Sequence, residues 1–256
     1  MLFAIIGGTG LYRMDDAAPG ERLTVDTLYG PAQVERIGVG GSRVVFLPRH
    51  GFEHSVPPHR VNYRANIAAL KELGVTNILA SAAVGSMADG LPPGSLALLT
   101  QFLDFTRDRA STFFDGESGK VVHVDVTDPY CPHLRGELQA AAETIGEKLH
   151  PEAIYVCAEG PRFETPAEIH MFRQLGGDLV GMTSVPEVVL AREAGMCYAA
   201  VAIVTNWAAG VSTAPVKHGE VSDFMGQHTP RVRALFAQAI ADHREIDCTC
   251  RSWAKG

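Results

Sequence analysis

The chain has 256 residues, of which 46% are apolar and 20% charged, and its formal net charge is −7. This length is enough for one large α/β domain or two small ones, and the acidic balance argues against nucleic-acid or anionic-membrane partners, which usually require clustered excess Lys and Arg. The five cysteines are scattered, no secretion signal precedes them and no window reaches membrane-spanning length, so we expect a soluble, cytoplasmic protein with reduced thiols.

The N-terminal apolar residues 3–6 are followed by Gly7-Gly8-Thr9-Gly10, which predicts a buried strand that enters a glycine turn. Glycines let backbone N–H groups approach an anion, and Thr9 adds a hydroxyl. A plain strand-to-loop turn explains these residues equally well. The spacing matches neither G-x-G-x-x-G nor a Walker motif, so neither a dinucleotide site nor an ATP site is supported.

Cationic and imidazole groups are concentrated after the β-rich residues 43–47. The cluster consists of Arg49, His50, His54, His59 and Arg60. Zinc is the rival interpretation, but these histidines lack the accompanying Asp or Glu pattern that is typical of zinc enzymes. A phosphate site fits better, because a guanidinium offers a fork of donors that matches an oxyanion.

Residues 61–73 have apolar side chains at helical spacing and end at Gly74, which predicts a helix packed on a sheet. Residues 78–84 predict a buried strand. Its small residues leave room for a ligand against the backbone, although close packing alone explains them equally well; they are Ser81, Ala82 and Ala83.

Residues 95–100 predict a strand, and the polar residues 107–119 predict a mobile loop. His123 follows in an apolar segment, and a single histidine in a strand is more often structural than functional. Residues 134–149, which are rich in Ala and Glu, predict an amphipathic helix.

The most informative stretch begins at Ala158. Gly160-Pro161 predicts a turn, and Phe163-Glu164-Thr165 offers an aromatic face, a carboxylate and a hydroxyl, which suit a flat heterocycle with polar edges. Thr165 and Glu168 form the pattern of a reciprocal N-cap, which predicts a helix that continues to Leu175.

A second helix start follows closely. Residues 178–181 predict a strand that leads to Met182-Thr183-Ser184, and Pro186 fits the first turn of another helix. Two helix starts are therefore expected to flank one cleft.

Residues 197–204 form a long apolar run that is typical of a strand buried on both faces. Asn206 comes just after it, and α/β proteins bind ligands at the carboxyl ends of such strands. Residues 208–217 predict a flexible loop, and residues 218–240 predict a helix that is interrupted near Pro230.

The tail from residue 242 contains His243, Cys248 and Cys250. C-x-C with one His provides too few ligands for zinc, so we expect no metal and a loosely attached tail. The absence of an internal repeat or a linker favours a single domain over residues 1–256.

Several motifs in order resemble the trimeric purine nucleoside phosphorylases and the related methylthioadenosine phosphorylases. They are GGTG at Gly7, RHG at Arg49, VNYRANI at Val61, Gly-Pro-x-Phe at Gly160, GMTSVPE at Gly181 and PEVVLAREAG at Pro186. The resemblance covers nearly the whole chain and implies a single-domain α/β nucleoside phosphorylase fold, with a mixed central β-sheet flanked by helices, in a homotrimer. It also implies a pentosyltransferase that acts on a purine nucleoside and phosphate without a metal or an organic cofactor.

The resemblance also implies site residues. The expected phosphate ligands are Thr9, Arg49, His50, Ala83 and Thr183, and the expected base and ribose contacts are Phe163, Glu164, Met182, Asn206, His218 and, from a neighbouring subunit, His123. Asn206, Glu164 and His50 are the expected catalytic residues. Methylthioadenosine phosphorylases have a threonine where Ala82 stands, so that hydroxyl is absent here.

Asn206 and Glu164 also predict the base. Adenine-specific relatives have an aspartate in place of Asn206 and lack Glu164. An amide can donate to a 6-oxygen and accept from a protonated N7, while a carboxylate can accept the N1–H of hypoxanthine or guanine. We therefore expect cleavage of inosine and guanosine to free base and ribose 1-phosphate or its deoxy counterpart.

His218 resembles a histidine that 6-oxopurine phosphorylases direct at the 5′-hydroxyl. The spacing from Asn206 is shorter than in those relatives, so 5′-methylthioinosine or 5′-methylthioadenosine is the alternative substrate. A nucleosidase that uses water and a nucleoside-binding sensor are the alternatives from other classes.

Overall fold

The computed structural model describes residues 2–8, 11, 20–117, 119–212 and 218–255, without the side chains of residues 218–223 and 253–255. The described strands, in chain order, are β1 (Leu2–Gly7), β2 (Glu21–Thr27), β3 (Gly30–Val39), β4 (Ser42–Pro48), β5 (Val75–Ser86), β6 (Leu96–Phe105), β7 (Leu149–Ala158), β8 (Leu179–Gly181) and β9 (Cys197–Trp207). The helices are α1 (Tyr63–Glu72), α2 (Pro132–Ile145), α3 (Pro166–Gln174), α4 (Ser184–Glu193) and α5 (His218–Asp242), and 3₁₀ turns occupy Pro58–Arg60 and Thr249–Lys255.

The strands form one mixed sheet in the order β2-β3-β4-β1-β5-β8-β7-β6-β9. β9 also pairs in parallel with β5, so β5, β8, β7, β6 and β9 close into a ring. β1 alternates its side chains between two apolar clusters, with Ala4 and Ile6 in one and Phe3 and Ile5 in the other. The predicted α/β fold with a mixed central sheet and flanking helices is confirmed.

Local capping explains where α1 and α3 begin. The Asn62 side chain accepts a hydrogen bond from Ala65 N–H at the start of α1. Thr165 and Glu168 form the predicted capping box at the start of α3. α4 contains a non-helical residue, Val185, near its start, and Pro186 opens its regular part as predicted.

Two helix predictions were wrong in extent. α2 ends at Ile145, because Gly146 adopts a left-handed conformation with φ 69° and the chain then enters β7 at Leu149. α5 runs through Pro230 without a break. Its C-terminal half is fixed by buried side chains such as Leu235 and Phe236, which outweigh the local cost of the proline.

Three loop or strand predictions were also wrong. β6 extends to Phe105, five residues beyond the predicted end at residue 100. Residues 120–126 form neither strand nor helix, so His123 is not in a strand. The tail is packed rather than loosely attached, because Cys248 and Cys250 are buried.

Candidate active site

A cavity of about 400 Å³ lies at the carboxyl ends of β4, β5 and β9, beside the start of α4. Its wall includes most of the residues that the sequence pointed to: Arg49, His50, Ala83, Phe163, Glu164, Met182, Thr183 and Asn206. They come from segments far apart in the chain, so the fold gathers the predicted residues around one space.

Three predicted residues are not placed in this wall. Thr9 lies outside the described residues, and so does the side chain of His218, whose backbone begins α5. His123 is exposed and is not among the described residues that line the cavity.

Arg49 is held by a buried carboxylate that the sequence interpretation did not identify. Arg49 Nε and Nη2 each donate to a Glu187 carboxylate oxygen at 2.7 Å, and Nη1 donates to Ser81 O at 2.9 Å. Tyr198 Oη donates to the same carboxylate at 2.6 Å. Burial acts to lower the pKa of Arg49, but the Glu187 charge outweighs it and the pKa is raised.

The remaining donors of Arg49 are available to an anion. Each terminal nitrogen has a second N–H beyond these bonds to described partners, and Arg49 lines the cavity. Gly8 lies directly against the guanidinium, since a Cβ there would be 2.8 Å from Arg49 Nη1. The Gly8 N–H donates to Ser81 Oγ at 3.2 Å. A glycine at this position therefore lets the strand end approach the arginine.

His50 is oriented by the loop that follows it. Its Nδ1 is 2.8 Å from Val56 O, and a carbonyl can only accept, so Nδ1 carries a proton and donates. In the neutral ring, Nε2 is then the acceptor nitrogen. His54 packs beside it with ring centroids 4.8 Å apart, and its backbone has φ 49°, a conformation that non-glycine residues rarely adopt.

Thr183 is positioned by a buried tyrosine. Tyr155 Oη accepts from Thr183 N–H at 3.0 Å and lies 3.5 Å from Ser184 N. Thr183 is the N-cap residue of α4, but its hydroxyl accepts no hydrogen bond from the described backbone of that helix. This side chain is therefore free of the usual capping role while its residue lines the cavity.

Arg109 connects two segments of the cavity wall, the one that begins at Glu159 and the one from Met182 to Val185. Its Nη2 donates to Glu159 O at 2.7 Å, and its Nη1 donates to Met182 O at 2.8 Å and to Val185 O at 2.7 Å. The guanidinium is buried in spite of its position in a loop, with its side chain 2% exposed. The loop of residues 107–119 was predicted to be mobile, but its described part is held by Arg109 and by the hydrogen bonds that Thr112 Oγ1 and Phe113 N–H donate to the Glu193 carboxylate. No sequence pattern marked these contacts.

Glu164 and Asn206 provide polar groups at the apolar part of the wall. Glu164 Oε1 is buried with no hydrogen-bond partner in the described part of the chain, and burial raises the pKa of this carboxyl. Asn206 Oδ1 accepts from Thr205 Oγ1 at 2.7 Å, and Nδ2 donates to Trp207 O at 2.8 Å. These bonds orient the amide and leave one N–H for a ligand.

Phe163 and Met182 complete the apolar surface. Phe163 is 38% exposed although it lines the cavity, so a flat ligand would cover it. Gly160 makes room for Met182, because a Cβ on Gly160 would be 2.6 Å from Met182 Sδ. The cavity wall therefore combines a guanidinium, an imidazole and a hydroxyl with an apolar surface that carries one carboxylate and one amide.

Comparisons with known proteins agree with this arrangement. A profile described as Phosphorylase superfamily matches residues 2–241. The chain is 51% identical over its whole length, and 97% of the relative's, to the probable 6-oxopurine nucleoside phosphorylase of Dictyoglomus turgidum. It is 50% identical to the 6-oxopurine nucleoside phosphorylase of Pyrococcus furiosus, with 99% and 97% of the two chains covered.

Methylthio-nucleoside enzymes are also similar. The probable S-methyl-5′-thioinosine phosphorylase of Methanopyrus kandleri is 49% identical over 92% of this chain and 90% of its own. Among solved structures, methylthioadenosine phosphorylase from Schistosoma mansoni in complex with adenine superposes with a TM-score of 0.90 at 35% identity, covering 94% of this chain and 91% of that one.

Proposed function

The chain belongs to the phosphorylase superfamily and is a pentosyltransferase of the purine nucleoside phosphorylase type, and from this premise we propose that its substrates are 6-oxopurine nucleosides and phosphate. The products are a free base, hypoxanthine or guanine, and ribose 1-phosphate or deoxyribose 1-phosphate. Relatives about half identical in sequence carry the 6-oxopurine name, which supports the substrate class.

The observation that carries the choice of base is the buried Oε1 of Glu164 in the cavity wall, which has no hydrogen-bond partner among the described residues. A buried acceptor without a donor costs free energy, which a ligand N–H can recover. Hypoxanthine and guanine have an N1–H, whereas adenine presents a lone pair at N1 and would repel an ionised Glu164. A site that is built to hydrogen-bond one edge discriminates strongly against the analogue that lacks it.

In the proposed reaction, phosphate attacks the anomeric carbon from the face of the sugar opposite the base. The new bond forms between a phosphate oxygen and C1′ as the bond from C1′ to N9 breaks, and the purine leaves with the electron pair. Arg49, His50 and Thr183 bind and orient phosphate, which is positioning catalysis. The free N–H of Asn206 stabilises the negative charge that develops on the leaving purine.

We propose the remaining roles on the same basis. Met182 contacts the ribose, Phe163 stacks on the purine, and the backbone at Ala83 faces phosphate; Thr9 and His218 keep their expected roles at the phosphate and the 5′-hydroxyl. No cofactor enters this scheme, since phosphate is the only second reactant.

A 5′-methylthio nucleoside is the second candidate substrate, because a relative with that name is almost as similar as the 6-oxopurine relatives. One assay compares the candidates: the rate of base release from inosine, 5′-methylthioinosine and adenosine, each with and without phosphate. Our proposal expects phosphate-dependent hypoxanthine release with inosine preferred. Release that does not need phosphate would indicate a nucleosidase, and tight inosine binding without turnover would indicate a sensor.

We propose in addition that the enzyme is a cytoplasmic homotrimer that serves purine salvage, with His123 contributed to a neighbouring cavity. The resemblance to trimeric enzymes supports this assembly, and so does the exposed apolar Val121, which is 75% accessible in the isolated chain. The free thiols support a reducing compartment, and no described helix has the length and apolarity to span a bilayer. Light scattering after size exclusion measures the subunit number.

A further inference from the structure

Four of the five cysteines meet at one buried point. Cys131 precedes α2, Cys197 begins β9, Cys250 lies in the last 3₁₀ turn and Cys248 lies just before it. Their sulfur atoms all lie within 4.8 Å of one another. The cluster joins residues as much as 119 positions apart, from Cys131 to Cys250, so chain neighbourhood does not explain it.

The sulfur positions suit one central ion. A zinc–sulfur bond is about 2.3 Å, which places the sulfurs of a tetrahedral four-thiolate site about 3.8 Å apart. Cys131 Sγ is 3.6 Å from Cys248 Sγ, close to this edge length. The four sulfurs thus lie close enough together to share one ion, and each belongs to a free cysteine that is buried.

A guanidinium lies directly against one sulfur of the cluster. Arg192 Nη1 lies 2.8 Å from Cys250 Sγ, and Arg192 Nε donates to Asp125 O at 3.1 Å, which fixes the guanidinium in place. Cys131 is the N-cap of α2, where the helix dipole is positive. Four thiolates on a dication carry a net negative charge, which the guanidinium offsets.

We propose that Cys131, Cys197, Cys248 and Cys250 bind one zinc ion that anchors the C-terminal tail to α2, α4 and β9. Soft thiolates in a tetrahedral set of four select zinc, and a closed four-ligand site is the structural type. None of the four lines the cavity as the described residues define it. This proposal replaces the expectation of no metal, which rested on the C-x-C pair and one His; the fold adds Cys131 and Cys197 to the pair.

The test uses the full chain, purified with a phosphine reductant and no chelator. Elemental analysis counts zinc per chain, and titration with a mercurial in the presence of a zinc indicator follows its release. Cys250→Ser removes one ligand, and Cys157→Ser is the matched control, because Cys157 is equally buried but outside the cluster. If the ligand variant fails to fold, cobalt substitution of the wild type reports tetrahedral thiolate ligation through its visible absorption.

We expect about one zinc per wild-type and Cys157→Ser chain, at least a tenfold loss in Cys250→Ser, and release only as the cluster thiols react. We also expect stripped protein to melt at least about 5 °C lower and to recover when zinc is added back. Three results for the wild type would overturn the proposal. The first is a protein without zinc, and the second is a protein with iron in its place. The third is resistance of the cluster cysteines to alkylation under denaturing conditions, because that would show that they form disulfides.

Discussion

The guanidinium of Arg49 and the carboxylate of Glu187 form a buried, bidentate ion pair across 138 positions of sequence, with both N–O distances at 2.7 Å. The pair uses two donors of the arginine, a third donates to Ser81 O, and the second N–H of each terminal nitrogen stays available for an anion in the cavity that Arg49 lines. Glu187 is therefore a positioning residue for the proposed phosphate site, because it acts through Arg49.

Replacing Glu187 with Gln should weaken phosphate binding more than nucleoside binding. Removing one charge from a buried pair costs about 3–5 kcal/mol, so a lower Tm is expected together with an increase of at least about tenfold in the KM for phosphate. Steady-state kinetics with each substrate varied in turn measure the effect. Glu193→Gln is the control on the same helix, since Glu193 bonds to Thr112 and Phe113 instead. An unchanged phosphate KM in a folded Glu187→Gln protein would remove Glu187 from this role.

Glu164→Gln should reduce kcat/KM for inosine by about 10- to 100-fold, the loss expected for one hydrogen bond to a charged group. Adenosine turnover should fall less or rise, because the amide no longer repels the lone pair at N1. Glu168→Gln is the control: this neighbouring acid pairs with Arg162 and does not line the cavity. Equal losses for inosine and adenosine in Glu164→Gln would contradict the proposed recognition.

The same carboxyl predicts a pH dependence of stability. Burial raises the pKa of Glu164 in the folded protein, so the folded state binds this proton more tightly than the unfolded state, whose pKa is about 4.3. The stabilisation is fully present below the unfolded pKa and is lost as pH rises through the folded pKa. Glu164→Gln should therefore match the wild type near pH 4 and melt at a higher temperature at pH 7. A Tm difference that is constant with pH would contradict this.

Arg109→Lys should loosen the cavity wall while keeping the charge. A lysine cannot reach Glu159 O, Met182 O and Val185 O together, because it lacks the planar fork. We expect a rise in the KM for inosine of about tenfold and a Tm lower by several degrees. Arg107→Lys makes the same chemical change at an exposed neighbour and should alter neither quantity. A normal inosine KM in Arg109→Lys would show that the wall is held by other contacts.

Features that depend on adjacent residues were predictable from the sequence. The Thr165 and Glu168 capping box and the Pro186 helix start follow from chemistry within a few positions, and the structure has both. Most of the residues that line the cavity could be predicted from the resemblance, because the family motifs lie in the segments that form the cavity wall.

Features that depend on the tertiary arrangement were not predictable. Glu187 is followed in the sequence by apolar residues, and nothing near it in the chain indicates its contact with Arg49, which only the fold creates. Arg109 belongs to a loop whose polar composition predicted mobility. No local pattern at Cys131 or Cys197 indicated that these residues lie beside the C-x-C pair. The end of α2 is different: Gly146 was a readable stop signal, and the predicted helix wrongly continued three residues past it to Leu149.

The closed ring of β5, β8, β7, β6 and β9 limits how this protein can acquire a new specificity. Strands without a free edge cannot slide or spread without breaking several ladder hydrogen bonds at once. The backbone that positions Ala83, Met182 and Asn206 is therefore rigid. A change of specificity, whether by evolution or by engineering, has to occur in the connecting segments beside the ring, such as residues 50–57 and 159–165. Exchange of those short segments between relatives should transfer substrate range while leaving the scaffold intact.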